Sequence, residues 1–265
     1  MMIHSNFETV VRGVSLVRWN PSRTDDAGQW SRVDNFGDLL GPLIVSRLVH
    51  DAPKPRHTSG RLLAVGSIMH FARPGDVVWG AGINGKIPLE ELRTTGLDVR
   101  AVRGPLTREA LRERGVEVPE VYGDPAMLLP DLLPELREVK RGNAVVVVPN
   151  LNDISQEQYQ GDMQVVSPTA ELFEVLRSVA AARFVVGSSL HSVIVAEAFG
   201  VPARFVSSGT EHPFKYHDYL VATGRHADEI SESVAGALDR GPMPPPQLDT
   251  TALREAFPTD LWQET

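Results

Sequence analysis

The 265-residue chain has no cysteine, which excludes a disulfide framework and any thiolate metal site and leaves a cytosolic location open. It has no long apolar run either. Stretches such as 144–149 and 184–186 have the length of buried strands and are too short to cross a bilayer, so no transmembrane segment is expected. Its 26 basic and 34 acidic residues give a net charge of -8, and neither sign forms a long block. A nucleic-acid or anionic-membrane partner is therefore not expected. The opening residues, MMIHSNFETVVRG, lack the basic start and apolar core of a secretory leader, and the reading is a soluble cytoplasmic protein. No internal repeat is visible, and the only biased tract is the short run 242–246.

What is present is an alternation of short β-branched runs with helical patterns. Strands are expected at 14–19, 62–65, 77–80 and 99–102, with a helix over about 37–50. Pro105 opens an amphipathic helix over 106–114 that Gly115 closes, the usual placement of proline inside a helix start and glycine beyond its end. Residues 116–122 then lead to Gly123-Asp124-Pro125. A polar, proline-bearing stretch at 131–142 reads as a hinge. The rhythm restarts with strand 144–148, helix 170–182, strand 183–186, helix 191–200, strand 203–206 and a helix near 228–238. This pattern predicts an α/β fold of mostly parallel sheets covered by helices, divided into domains 1–138 and 139–265. The proline-rich tail 241–265 carries an amphipathic piece, 251–257, that either packs back on the first domain or is loosely held.

The segment 185–202, VVGSSLHSVIVAEAFGVP, sets His191 where an apolar strand turns into a buried helix. Free backbone N–H groups converge at such a turn, and open α/β sheets bind ligands at the carboxyl ends of their strands. An acid–base histidine beside an anion site is one reading, and a capping or packed histidine is the other. Asn35-Phe36-Gly37-Asp38 opens the first long helix, where Asp38 either caps the helix or faces the cleft as a base. Arg103 lies between a strand and a helix start, a natural address for a carboxylate or phosphate, and equally a surface position. Asp124 either accepts a substrate hydroxyl or stabilises a turn. Gly80-Ala81-Gly82-Ile83-Asn84-Gly85 fits G-x-G-x-x-G, yet the next strand ends in Arg103 instead of a ribose-binding acid, which favours a tight ligand-facing turn over a dinucleotide site. The polar and aromatic segment 211–219, read as a loop, contains Lys215 and reaches the same cleft. Its histidines, His212 and His217, do not have the spacing of a zinc helix, so no metal is expected. A G-x-S-x-G nucleophile elbow is missing, since Ser188 and Ser189 stand in GSSLHS.

Taken in order, NFGD at 35–38, WGAGI at 79–83, VRGPLT at 102–107, YGDPAMLL at 122–129 and GSSLHSVIVAEAFGVPA at 187–203 resemble the polysaccharide pyruvyl transferase family. The resemblance covers roughly residues 30 to 220, and its last motif is the most specific. It implies two Rossmann-like domains facing a cleft, similar to GT-B glycosyltransferases, with the acceptor on the first domain and the donor on the second. It implies transfer from phosphoenolpyruvate onto two hydroxyls of a sugar in a polysaccharide or its precursor, giving a cyclic pyruvate ketal and phosphate without a cofactor. Carried over, His191 is the general acid, and Asp38 or Asp124 orients or deprotonates the acceptor. Arg103, Lys215 and the backbone at Ser189 and Leu190 hold the anionic donor, with Ser188, Asn35 and Gly82 as further substrate-binding positions. Many members carry arginine where this chain has Ser189, so either another cation such as Lys215 or Arg103 takes over, or the donor binds differently and Ser189 contributes only a hydroxyl. The shared architecture also leaves room for a glycosyltransferase using a nucleotide sugar, and the Ser189 departure for a non-catalytic binding relative.

Overall fold

The chain opens with a hairpin because Arg12 and Gly13, both at positive φ, turn it tightly between β1 (Glu8–Val11) and β2 (Val14–Val17). In the computed structural model, residues 7–20, 22–24, 28–53, 60–153 and 163–263 are described. The first six residues, part of the stretch on which the leader reading rests, lie outside them. A separate antiparallel pair, β3 (Ser22–Thr24) and β4 (Trp30–Arg32), precedes α1 (Phe36–Leu48). Then come β5 (Leu62–Leu63), β6 (Val77–Trp79), β7 (Asp98–Ala101) and α2 (Pro105–Arg112), with Pro105 in the first turn of α2 as expected. The first sheet has the order β1-β2-β5-β6-β7, parallel in every pairing except the opening hairpin.

Two short helices, α3 (Leu129–Leu132) and α4 (Pro134–Arg137), link to β8 (Val145–Val147) and β9 (Gln164–Val165). They are followed by α5 (Leu172–Ala181), β10 (Phe184–Gly187), α6 (Leu190–Ala198), β11 (Ala203–Phe205), α7 (Phe214–Ala222), α8 (Val234–Arg240) and α9 (Thr250–Glu255). The second sheet is wholly parallel, in the order β11-β10-β8-β9. Segment 211–219 is thus not simply a loop, because α7 begins at Phe214.

Period-two alternation gives both sheets two apolar faces. Val17, Leu63, Val78 and Val99 point into one cluster, while Leu16, Leu62, Val77 and Trp79 point into another. In the second sheet Val145, Val147, Phe184 and Val186 pack on one side and Val146, Val148 and Val185 on the other. The inner faces of the two sheets share a single continuous cluster. Residues 131–142 do not form an exposed linker throughout: Leu133 and Leu136 are buried in that shared cluster, as is Leu129 just before them. The tail meets the first sheet. Trp79 Nε1 donates to Leu253 O at 2.7 Å, Phe257 lies edge-on to Trp79, and Trp262 Nε1 donates to Val11 O at 3.2 Å. Among the described residues no helix is long and apolar enough to cross a membrane.

Candidate functional site

A cavity of about 310 Å³ opens where the carboxyl ends of strands from both sheets meet. Trp19 follows β2, Ser67 and His70 follow β5, and Asn84 and Lys86 follow β6, all in the parallel part of the first sheet. From the second sheet, Asn150 follows β8, Ser189 and His191 follow β10, and Glu211 and Lys215 follow β11. The first turn of α1 supplies Asn35 and Asp38. Ligand sites of open α/β sheets form at this edge because loops there leave the sheet while helix N-termini point into it.

His191 is held in place by neighbours on both sides. Ser189 is the N-cap of α6 and makes no side-chain capping bond, its own N–H donates to Val148 O at 3.4 Å, and Ser189 and Leu190 line the cavity wall. The Nε2 atom of His191 faces Asp124 Oδ2 at 3.5 Å, and neither atom has a hydrogen-bond partner among the described residues. Asp124 is wholly buried, and its other oxygen caps the 3₁₀ turn Pro125–Leu128 by accepting from Ala126 N at 2.9 Å. Gly37 closes the opposite side, where a Cβ would collide with His191 Nδ1. Gly37→Ala is therefore expected to tilt the imidazole and lower turnover roughly tenfold, since sub-ångström misplacement of a reacting group is costly. Unchanged turnover, measured with α1 helicity intact, would show that the ring orientation is irrelevant.

Asp38 does not cap α1. That role belongs to Asn35, whose side chain accepts from Gly37 N at 3.1 Å, and Asp38 lines the cavity instead. Burial pushes its carboxyl up to about 7, against the opposing pull of His191, Lys215 and Arg18. An acid titrating near neutrality in a cavity is suited to proton transfer. Between its ordinary value of 3.8 and about 7, the folded chain holds a proton at this site that the unfolded chain has released. Stability contributed by this group therefore falls as pH rises through that window. Asp38→Asn is expected to raise the thermal midpoint by a few degrees at about pH 8, on the order of 1 kcal/mol, with little effect near pH 4. Scanning calorimetry at the two pH values tests this, and an equal shift at both would refute the titration.

Lys215 is buried, and its Nζ donates to Glu211 Oε2 at 2.8 Å; Lys86 Nζ donates to Glu211 Oε1 at 2.7 Å. Burial lowers the Lys215 pKa while Glu211 opposes the shift. For Glu211 burial acts upward, but the two ammonium groups overcome it and hold the carboxyl below its ordinary range. Both lysines thus share one internal counter-ion at the cavity wall.

Other residues picked out in the sequence take supporting positions. Arg103 is not at the cavity surface. Its fully buried guanidinium pairs with Asp218 at 3.0 Å, donates to Ile83 O at 2.8 Å and donates to Ser67 Oγ at 2.6 Å. It meets the cavity only through Ser67. Gly82 is buried behind the wall, where a Cβ would strike the Arg103 guanidinium, so the glycine gives that side chain room. Ser188 donates to Asp153 Oδ2 at 2.7 Å and accepts from Asn150 N at 2.9 Å, which fixes the 150 loop instead of addressing a ligand. Trp19, Ser67, His70, Lys86, Asn150 and Glu211 line the cavity without having been singled out as site positions. Their common signal is placement just beyond a strand's carboxyl end, which residue type alone does not reveal. Among the described residues no group of three or more His, Asp or Glu is placed to hold a metal ion.

This fold and site belong to a known class: the chain is a member of the polysaccharide pyruvyl transferase family, whose model matches residues 35–210. The matched region includes Asp38, Asp124 and His191 and ends just before Glu211 and Lys215. The chain is also similar to the succinoglycan biosynthesis protein ExoV of Rhizobium meliloti (strain 1021), with 29% identity over 133 residues. That match covers 48% of this chain and 41% of ExoV, so it spans less than half of either protein.

Proposed function

We propose that this protein moves the pyruvyl group of phosphoenolpyruvate onto two hydroxyls of a sugar in a polysaccharide or its precursor, releasing phosphate and forming a cyclic ketal. The observation that carries the reading is the His191–Asp124 pair beside the first turn of α6, in a cavity that also holds Lys215, Lys86 and the raised carboxyl of Asp38. Family membership supports pyruvyl transfer to a polysaccharide in general terms.

In this reading the donor's carboxylate and phosphate lie against the α6 first turn and the two lysines, which supply the charge that the arginine of other members would have supplied at Ser189. His191 protonates the methylene carbon of the enol, turning the double bond into a methyl group and leaving an oxocarbenium-like centre. Asp124, facing Nε2, stabilises the imidazolium. A sugar hydroxyl attacks the cationic carbon and gives its proton to Asp38. The C–O bond to phosphate then breaks, and the second hydroxyl attacks and closes the ring. Its proton leaves with the phosphate or through Asp38. Two hydroxyl protons are lost and one is gained by carbon, which balances hydrogen phosphate as the other product. No further cofactor is required by these steps.

The same reading treats the two sheets as the opposed lobes of a GT-B-like architecture, with 1–138 carrying the acceptor and 139–265 the donor. It places the reaction in the cytoplasm, where phosphoenolpyruvate and activated sugars are available. Incubation with phosphoenolpyruvate and a panel of nucleotide-activated and lipid-linked sugars should release phosphate. Nucleotide release with phosphoenolpyruvate intact would replace this reading with glycosyl transfer. Calorimetric binding of phosphoenolpyruvate without turnover on any acceptor would leave a binding protein.

A further inference from the structure

One wall of the cavity is aromatic and neutral, and the proton and phosphate chemistry makes no use of it. Trp19 lies just beyond the carboxyl end of β2, and His70 and Phe71 sit in the 3₁₀ turn that follows β5. Trp19 stacks on Phe7 with centroids 5.6 Å apart at 13°, and on Phe71 at 5.3 Å and 25°. Phe7 and Phe71 stack on each other at 5.1 Å, and His70 stands edge-on to Trp19 at 6.0 Å. Of these four rings, only Trp19 and His70 line the cavity. The two phenylalanines therefore act as a buttress that fixes the indole at the wall. Beside it, the Asn84 amide meets His70 Nδ1 at 3.2 Å, and Asn150 faces the cavity from the other sheet. Burial lowers the His70 pKa, consistent with a neutral ring that exchanges hydrogen bonds without carrying charge.

The cavity is thus divided by chemistry. His191, Lys215 and Glu211 belong to the second sheet, and Lys86 and Asp38 lie toward them, whereas the indole, a neutral imidazole and Asn84 form a separate uncharged patch on the first. A fixed aromatic plane rimmed by amides does little for a trianion. It matches a pyranose ring, which has an apolar face of C–H bonds and hydroxyls around its edge.

We propose that Trp19 is the platform on which the acceptor sugar ring stacks, with His70 and Asn84 serving its hydroxyls. The assignment of that sugar as an acceptor rests on the pyruvyl-transfer reading; the sugar contact itself does not. Trp19→Ala in the full chain should raise the acceptor KM at least about tenfold and leave the phosphoenolpyruvate KM within about twofold, with Trp19→Phe intermediate because it keeps a plane. In the wild-type chain, the Trp19 indole N–H resonance, assigned by its loss in Trp19→Phe, should shift on titration with a panel of methyl hexopyranosides.

An unmoved acceptor KM in Trp19→Ala, while phosphoenolpyruvate is consumed normally, would overturn the platform. An indole resonance insensitive to every methyl hexopyranoside would also overturn it, and needs no variant beyond the assignment. A shift produced by uridine monophosphate and by no glycoside would overturn it in favour of a nucleobase site. Failure to consume phosphoenolpyruvate with any acceptor, alongside a Trp19-dependent glycoside shift, would refute the pyruvyl-transfer reading and leave the sugar platform standing.

Discussion

His191→Ala is expected to lower turnover by at least about 100-fold, the lower range for loss of a positioned acid–base group, while the chain stays folded. The reason lies in what surrounds the ring. Its Nε2 points at a wholly buried carboxylate with no other partner for that oxygen, and its Nδ1 edge is pressed against the first turn of α1. The side chain is 12% exposed, so truncation deletes the proton donor and leaves a void beside Asp124. Asp124→Asn should act in the same direction but less strongly, because the amide keeps the shape and the capping oxygen while losing the charge opposite the imidazolium. Initial rates of phosphate release from phosphoenolpyruvate, with far-ultraviolet dichroism as the fold control, decide the matter. A rate in His191→Ala equal to wild type would remove the histidine from the chemistry.

The second large effect concerns stability. Asp218→Ala is expected to cost about 3–5 kcal/mol, the range for breaking a buried ion pair by removing one partner. Asp218 and Arg103 are both fully buried, from elements 115 residues apart in sequence. The same carboxylate accepts from Thr107 N at 3.0 Å and from Thr107 Oγ1 at 2.7 Å. Without it the guanidinium keeps only Ser67 and Ile83 O, and the first turn of α2 loses the acceptor for a backbone N–H. A loss of that size is a large share of the roughly 5–15 kcal/mol that holds an ordinary domain together, so urea unfolding should show a markedly lower midpoint. A midpoint within experimental error of wild type would mean that the pair contributes nothing net. Arg103→Ala should likewise act on stability first, and on donor affinity only through Ser67.

The parts of the fold that local pattern controls were legible in the sequence. The apolar run ending in Gly187-Ser188-Ser189 announced both β10 and α6, and Pro105 announced α2. α7 was hidden because its buried face carries Lys215, Tyr216, Asp218 and Tyr219, so its hydrophobic pattern is masked by polar groups whose partners lie elsewhere. Within 131–142 the masking is similar, because prolines and charges on the surface conceal leucines that enter the shared core. In the site, the turn bearing His191 could be read locally. The pairing of that ring with Asp124, the burial of Arg103 and the aromatic wall around Trp19 are all contacts between distant segments, and no spacing within a window records them. Asp38 illustrates the limit best. Its place near a helix start fitted a cap, and only the side chain of Asn35 three residues earlier shows that the cap was already supplied.

The tail carries a consequence for the order in which the molecule assembles. Trp79 finds the acceptor for its indole N–H in Leu253, 174 residues downstream, and Trp262 reaches Val11 across 251 residues. While the chain is being synthesised, the inner face of the first sheet therefore stays unfinished after its own strands have emerged, with the Trp79 ring awaiting Phe257. Closure of such long loops comes late and is slow. Until it happens, an incomplete apolar face is open to aggregation, and completion of the first sheet waits on residues 253–262.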